Sequence, residues 1–121
     1  MIVVEGDGAF FMRPSILPVL SAQKPDNLCH IVLSNETYES TGSQPLPATS
    51  FSPLQMMQLV YSKNLFVSEN KEDFELSLSK FIANPEFSGI YADIRSECMP
   101  NLGRPTETSR ELKEQFMASF N

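Results

Sequence analysis

Tryptophan is absent from this chain, and its 121 residues include only two cysteines, one histidine and five glycines. Cys29 and Cys98 are far apart, and with His30 as the lone imidazole they do not make a zinc-ligand pattern. Cys29 lies in an apolar segment and reads as a small core residue. A reduced, cytoplasmic protein is the expectation. No apolar run approaches the ~20 residues a bilayer span needs, so no membrane helix is expected. The opening stretch, Met1 to Asp7, has no basic region ahead of an apolar one, so no secretory signal is expected either. The sequon at Asn35-Glu36-Thr37 is accordingly discounted. Positive charge is scarce: nine Lys and Arg stand against fifteen Asp and Glu, a net charge of -6. That balance argues against a nucleic-acid partner, which needs clustered Lys and Arg. It also means that an anionic ligand must be held locally, by a metal or by backbone N–H groups.

What is present is one domain's worth of alternating strand and helix signals. Ile2-Val3-Val4 reads as a buried strand halted by the turn Gly6-Asp7-Gly8. Being apolar throughout, it has the look of a central strand with neighbours on both sides. Residues 14–23 predict a short helix with Pro14 at its first position, kinked or cut short by Pro18. Leu28 to Leu33 is a second buried strand. Residues 36–50, rich in Ser, Thr and Pro, predict a long loop of the kind that carries function.

Ser52-Pro53 opens a helix whose apolar stripe is Met56, Met57 and Val60. Leu65-Phe66-Val67 is a third strand. Asn70 caps a helix with Phe74, Leu78, Phe81 and Ile82 at helical spacing, stopped by Asn84-Pro85. From Ile90 to Arg95, apolar and polar residues alternate, which predicts a strand exposed on one face. Thr108 and Glu111 form a capping box for a last helix carrying Leu112, Phe116 and Phe120 on one side. The alternation predicts an α/β fold with a mostly parallel sheet flanked by helices.

Asp7 follows one strand and Asn35 the next, with helix between them. A right-handed βαβ unit would bring both to one edge of the sheet, where ligands of open α/β sheets bind. A carboxylate plus an amide oxygen suits Mg²⁺, which takes few protein ligands and completes its octahedron with phosphate and water. The N–H groups near Gly8 and Ala9 could receive a phosphate. On its own, Gly-Asp-Gly is a common turn. The strand ahead of it and the strand-end Asn35 are what give it chemical weight.

Gly6-Asp7-Gly8, residues 9–34 and then Asn35 resemble the cofactor motif of thiamine-diphosphate-dependent decarboxylases and acetolactate synthases. EGDGAFFMR, AQKPDNLCHIVLSN, ETYESTGSQP and NLGRPTETSRELKEQFM are more closely similar to phosphonopyruvate and sulfopyruvate decarboxylases. The resemblance runs from Val3 to about Phe120 and is weakest between Pro45 and Asn101. It implies that Asp7, Asn35 and the Thr37 carbonyl ligate Mg²⁺. It implies too that Gly6, Gly8 and Ala9 surround the diphosphate, with Tyr38 to Gln44 forming a loop near cofactor and substrate. Ser34, Pro14, Ser15, Pro18 and Ser43 stand where such enzymes usually carry Asp, Met, Gly, Ala and Gly.

The resemblance further implies that residues 1–121 are a single thiamine-diphosphate-binding domain lacking its upstream βα unit. A pyrimidine-binding partner chain or domain would carry the activating glutamate, so no catalytic acid or base is assigned here. The implied substrate is a small 2-keto acid, and the implied state is an oligomer. The bound cofactor would supply the electron sink for loss of CO₂.

Two other readings stay open: a truncated, non-catalytic remnant or interaction module, and an unrelated Mg²⁺-phosphate protein. The last predicts a nucleophilic Asp, a Walker-type Lys or a dinucleotide glycine pattern, and the chain has no Gly-x-Gly-x-x-Gly or Gly-Lys-Ser/Thr. Arg13 reads as a contact to an anion or as a solvated helix-start arginine, Arg104 in the segment that resembles the family's C-terminal part reads as a structural ion pair, and Glu39 as a site or solvated loop carboxylate. His30 reads as a packed, hydrogen-bonded strand histidine.

Overall fold

The computed structural model describes residues 1–47, 51–96, 103 and 106–120. Four parallel strands form the main sheet: β1 (Ile2–Gly6), β2 (Cys29–Ser34), β5 (Leu65–Ser68) and β6 (Ser88–Asp93). Their order is β1-β2-β6-β5. A two-stranded antiparallel ribbon, β3 (Thr37–Tyr38) with β4 (Gln44–Pro45), follows β2. The helices are α1 (Asp7–Met12), α2 (Ile16–Gln23), α3 (Pro53–Tyr61), α4 (Lys71–Ala83) and α5 (Ser109–Ala118). The α/β expectation holds, with helices on both faces of a parallel sheet.

On one face Phe10, Leu17, Val32, Met57, Tyr61 and Tyr91 make a cluster under α1, α2 and α3. On the other, Cys29, Ile31, Phe81 and Ile90 pack with Phe66, Phe74 and Leu78 under α4. Met57 is fully buried, as its stripe predicts, and so is Cys29. The Ser52 cap is a complete box with Gln55. Asn70 accepts from the Asp73 N–H to start α4, and the Thr108–Glu111 box starts α5.

Two strands change places relative to expectation. β1, expected in the centre, is an edge: among the described residues it pairs only with β2, and Ile2, Val3 and Val4 are 45%, 41% and 58% exposed. α4 follows β5 at the far edge and does not reach over β1, so Ile2 and Val4 lie uncovered beside the buried Cys29 and Ile31 they pair with. β6, expected to show one face to water, is central and buried from Ser88 to Ala92. Its alternation misleads because Gly89 and Tyr91 face helix rather than solvent. A Cβ on Gly89 would lie 2.7 Å from the Tyr61 ring and 3.0 Å from Met57, so the missing side chain is what lets α3 approach this closely.

Two helices change as well. α1 begins at Asp7, where the sequence reads only as a turn. Pro14 precedes Ser15, the N-cap of α2, instead of opening the helix. Pro18 falls in the first turn of α2, where N–H groups have no intrahelical partner, and the helix is short, eight residues, in line with one of the two outcomes expected there. Leu112 and Phe116 of α5, and Phe120 just past its end, are 41%, 63% and 72% exposed, and no α5 residue is buried. No helix among the described residues is long and apolar enough to cross a membrane. Cys98 and Arg104 lie outside the described residues, as do 48–50 of the predicted loop.

Candidate functional site

The C-terminal edge of the sheet carries the site. β1 runs straight into α1, so Asp7 sits at the end of a strand and the start of a helix, 1% exposed. β2 ends at Ser34, and its register with β1 sets Gly6 against Leu33. Asp7 therefore lies level with Ser34, the last residue of β2, and next to the segment that follows it. The chain turns there through Glu36, whose φ of 59° is left-handed.

The Asp7 carboxylate ties these pieces together. Its Oδ2 accepts from Ser34 Oγ at 2.9 Å, from the Asn35 N–H at 3.0 Å and from the Glu36 N–H at 2.7 Å. Its Oδ1 accepts from the Gly8 N–H at 2.7 Å. Oδ2 is crowded, and Oδ1 is the oxygen with capacity to spare. Ser34 acts as a donor to Asp7; a carboxylate in its place would set like charges together.

Asn35 is half-buried. Its Oδ1 accepts from the Thr37 N–H at 3.1 Å, and its Nδ2 donates to Glu39 Oε2 at 2.7 Å. In the β3–β4 ribbon, Thr37 lies opposite Pro45, which has no N–H to offer the Thr37 carbonyl. Flanking bonds run from the Leu46 N–H to the Glu36 carbonyl and from the Ser43 N–H to the Tyr38 carbonyl, at 2.8 and 3.0 Å. The ribbon thus holds residues 36–46 of the predicted loop in a defined shape.

These groups line one open concavity of about 460 Å³. Its walls include Gly6, Asp7, Gly8, Ala9, Asn35, Thr37 and Tyr38, every residue that the motif singles out. Glu39 is there too. Ser40 and Thr41, from the loop expected at Tyr38 to Gln44, line it as well, whereas Met12, Leu33 and Ile94 on its wall are not anticipated from sequence. Ile94 directly follows the end of β6, and its N–H donates to the Ser34 carbonyl at 2.8 Å. The strand-end rule that singles out Asp7 and Asn35 would have found it, had β6 been read as central.

The glycines behave unequally. A Cβ at Gly8 would stand 2.7 Å from the Tyr38 ring, so the chain's own packing already demands glycine there. A Cβ at Gly6 would meet only the Leu33 carbonyl at 4.0 Å, so nothing in the chain itself requires glycine at that wall. Because the Gly8 N–H is bonded to Asp7, the Ala9 N–H is the nearer candidate for an anion. Arg13 lines a different groove, on the β1 side, with Met1, Val3, Glu5, Ile16, Leu20, Leu28 and His30.

A cation on this wall would find oxygen donors of three kinds: carboxylate, amide and main-chain carbonyl. That hard set is what Mg²⁺ takes. No group of three His, Cys, Asp or Glu that could hold a metal occurs among the described residues, so a softer metal has no site of that kind there.

His30 is 3% exposed and fully engaged. Its Nδ1 lies 2.7 Å from the Tyr61 hydroxyl and its Nε2 2.6 Å from Glu5 Oε1. Burial pushes the Tyr61 hydroxyl well above the ordinary tyrosine range, helped by nearby Cys29 and Glu5. Tyr61 therefore stays protonated and can donate to Nδ1, leaving the Nε2–H for Glu5. Burial likewise raises Tyr91, beside Ser34 and Asp93, and the Cys29 thiol.

No protein-family model matches the chain. It is 28% identical over 118 residues to the phosphonopyruvate decarboxylase of Streptomyces viridochromogenes, covering 98% of this chain and 30% of that protein. It is 27% identical over 116 residues to the phosphonopyruvate decarboxylase of Streptomyces hygroscopicus, covering 96% and 29%. It is 30% identical over 118 residues to the sulfopyruvate decarboxylase of Methanosarcina acetivorans, covering 94% and 30%. The chain is related to these decarboxylases. It spans about 30% of the length of the curated relatives it matches.

Proposed function

We propose that this chain holds the Mg²⁺-diphosphate end of thiamine diphosphate within a decarboxylase of small 2-keto acids, of the phosphonopyruvate or sulfopyruvate type. The observation that carries the reading is the joint between Asp7 and Asn35. They end neighbouring parallel strands, a hydrogen bond links them, and both open onto one cavity. Asp7 Oδ1, Asn35 Oδ1 and the Thr37 carbonyl would hold Mg²⁺, while Gly6, Gly8 and Ala9 would lie along the diphosphate under Tyr38. Bound thiamine diphosphate supplies the electron sink for release of CO₂. The chain's own residues bind and orient it: Asp7 is fixed by its donors, and the β3–β4 ribbon keeps Thr37 and Tyr38 against α1.

The rest of the active site would come from a partner chain or domain that holds the pyrimidine. The span of about 30% of the relatives' length supports that division. So does the bare outer edge of β1, whose unpaired backbone and exposed Ile2, Val3 and Val4 suit a further strand. The same edge also favours a second reading, in which the chain is a non-catalytic remnant or interaction module.

Calorimetric titration of the purified chain with thiamine diphosphate and Mg²⁺ separates the two. The first reading expects binding that Asn35→Ala weakens, because that variant keeps the main-chain bond to Asp7. A folded chain that takes up no heat at millimolar cofactor leaves the second. Release of CO₂ from phosphonopyruvate or sulfopyruvate on adding a candidate partner would complete the first.

A further inference from the structure

The two ends of the Asn35 amide are not equivalent toward a cation. Oδ1 can ligate it and Nδ2 repels it. Orientation of the amide is therefore a condition of the site, and two neighbours set it. The Thr37 N–H, a donor only, meets Oδ1 in a local turn. The Glu39 carboxylate takes the Nδ2–H at 2.7 Å, the shorter and charge-assisted contact. Glu39 opens the short 3₁₀ turn Glu39–Thr41, is half-buried, and lines the same cavity.

We propose that Glu39 is a positioning residue for the cation site, receiving the Asn35 N–H and so keeping the Asn35 oxygen turned to its ligand. The inference rests on the Mg²⁺-diphosphate reading above. Position 39 must then be an acceptor. Glutamine presents both an acceptor and a donor, so it no longer selects one orientation. Lysine presents donors only, so it would draw Oδ1 toward itself and turn Nδ2 to the cavity. With aspartate at position 35 there is no N–H to receive, and Glu39 becomes a like charge beside another. The sign of the Glu39 contribution thus depends on the residue at 35, whereas a glutamate that merely supported the loop would contribute equally in both backgrounds.

The test is calorimetric titration of the full chain with Mg²⁺ and thiamine diphosphate for wild type, Glu39→Gln, Glu39→Lys, Asn35→Asp and the double variant Asn35→Asp/Glu39→Gln. Loss of an outer partner of a metal ligand typically costs ~10–100-fold in affinity. Glu39→Gln should bind about tenfold more weakly than wild type, and Glu39→Lys more weakly still. The double variant should bind more tightly than Asn35→Asp alone. Without ligand, the side-chain amide of Asn35 should give a displaced ¹H–¹⁵N pair that returns to its ordinary position in Glu39→Gln.

Equal affinity of wild type and Glu39→Gln, or a double variant no tighter than Asn35→Asp, overturns the role of Glu39 while leaving the cofactor reading in place. An Asn35 amide signal that Glu39→Gln leaves unmoved overturns it as well. A wild-type chain that takes up no Mg²⁺-thiamine diphosphate overturns the cofactor reading itself.

Discussion

The Asn35 main-chain N–H donates to Asp7 Oδ2 at 3.0 Å, joining the ends of β1 and β2 through a carboxylate rather than through the strand ladder. Asp7 is thus a fastening of the fold as well as a candidate ligand, and its replacement reads out both. Asp7→Ala strands the Gly8, Asn35 and Glu36 N–H groups and the Ser34 hydroxyl. A stranded buried donor costs ~1–3 kcal/mol. Chemical denaturation should therefore show a loss of about 3 kcal/mol or more, and Asn35→Ala a much smaller one. Equal losses in the two variants would contradict the fastening role of Asp7.

Ser43 occupies a left-handed conformation, φ 57°, which glycine adopts without a side-chain clash. A side chain there costs ~1–2 kcal/mol that glycine avoids, partly offset by the greater freedom glycine gains when unfolded. Ser43→Gly should raise stability by about 0.5–1 kcal/mol in thermal unfolding. A fall in melting temperature would count against the described ribbon.

Alkaline pH should destabilise the chain through Tyr61. Its folded pKa is raised by burial above its unfolded value. The contribution is fully present below the unfolded tyrosine pKa, about 10, and is lost as pH climbs from there toward the folded value. Tyr91 acts in the same direction. Stability measured across pH 8 to 12 should fall above about pH 10. Tyr61→Phe should flatten that fall while costing about 1 kcal/mol near neutrality, where His30 Nδ1 loses its donor.

Gly89→Ala and Met57→Ala probe the same contact from opposite sides. The first drives a methyl into the Tyr61 ring, the second opens a cavity beneath it. Overpacking costs ~1–3 kcal/mol and a Met→Ala cavity ~2–5 kcal/mol. In combination the losses should be less than additive, since the cavity makes room for the methyl. Full additivity in a double-mutant cycle would speak against direct contact.

Much of the fold is legible in the residues themselves. β-Branched runs mark the strands, and Ser52, Asn70 and Thr108 mark helix starts by chemistry local to each. The order of strands is not local. Ile2-Val3-Val4 reads the same at an edge as in a centre, because hydrophobicity says that a strand is apolar and not which neighbours it has. Gly89 and Tyr91 hide the burial of β6, since a glycine has no side chain to classify and tyrosine suits water or core. At the site, strand ends and the motif bring out Gly6 through Ala9, Asn35, Thr37 and Tyr38. They miss Met12 and Ile94, whose place on the wall depends on a helix that reads as a turn and a strand that reads as half-exposed.

The position of β6 has a consequence for how the chain is made. Of the described strands of the main sheet, the latest in chain order is the one that separates β2 from β5. Until Ser88–Asp93 arrives, the first two strands and the third have no shared ladder, and the two halves of the core stay open. Ribosome-bound chains ending before residue 88 should therefore be open to protease, and protection should come abruptly once the central strand emerges.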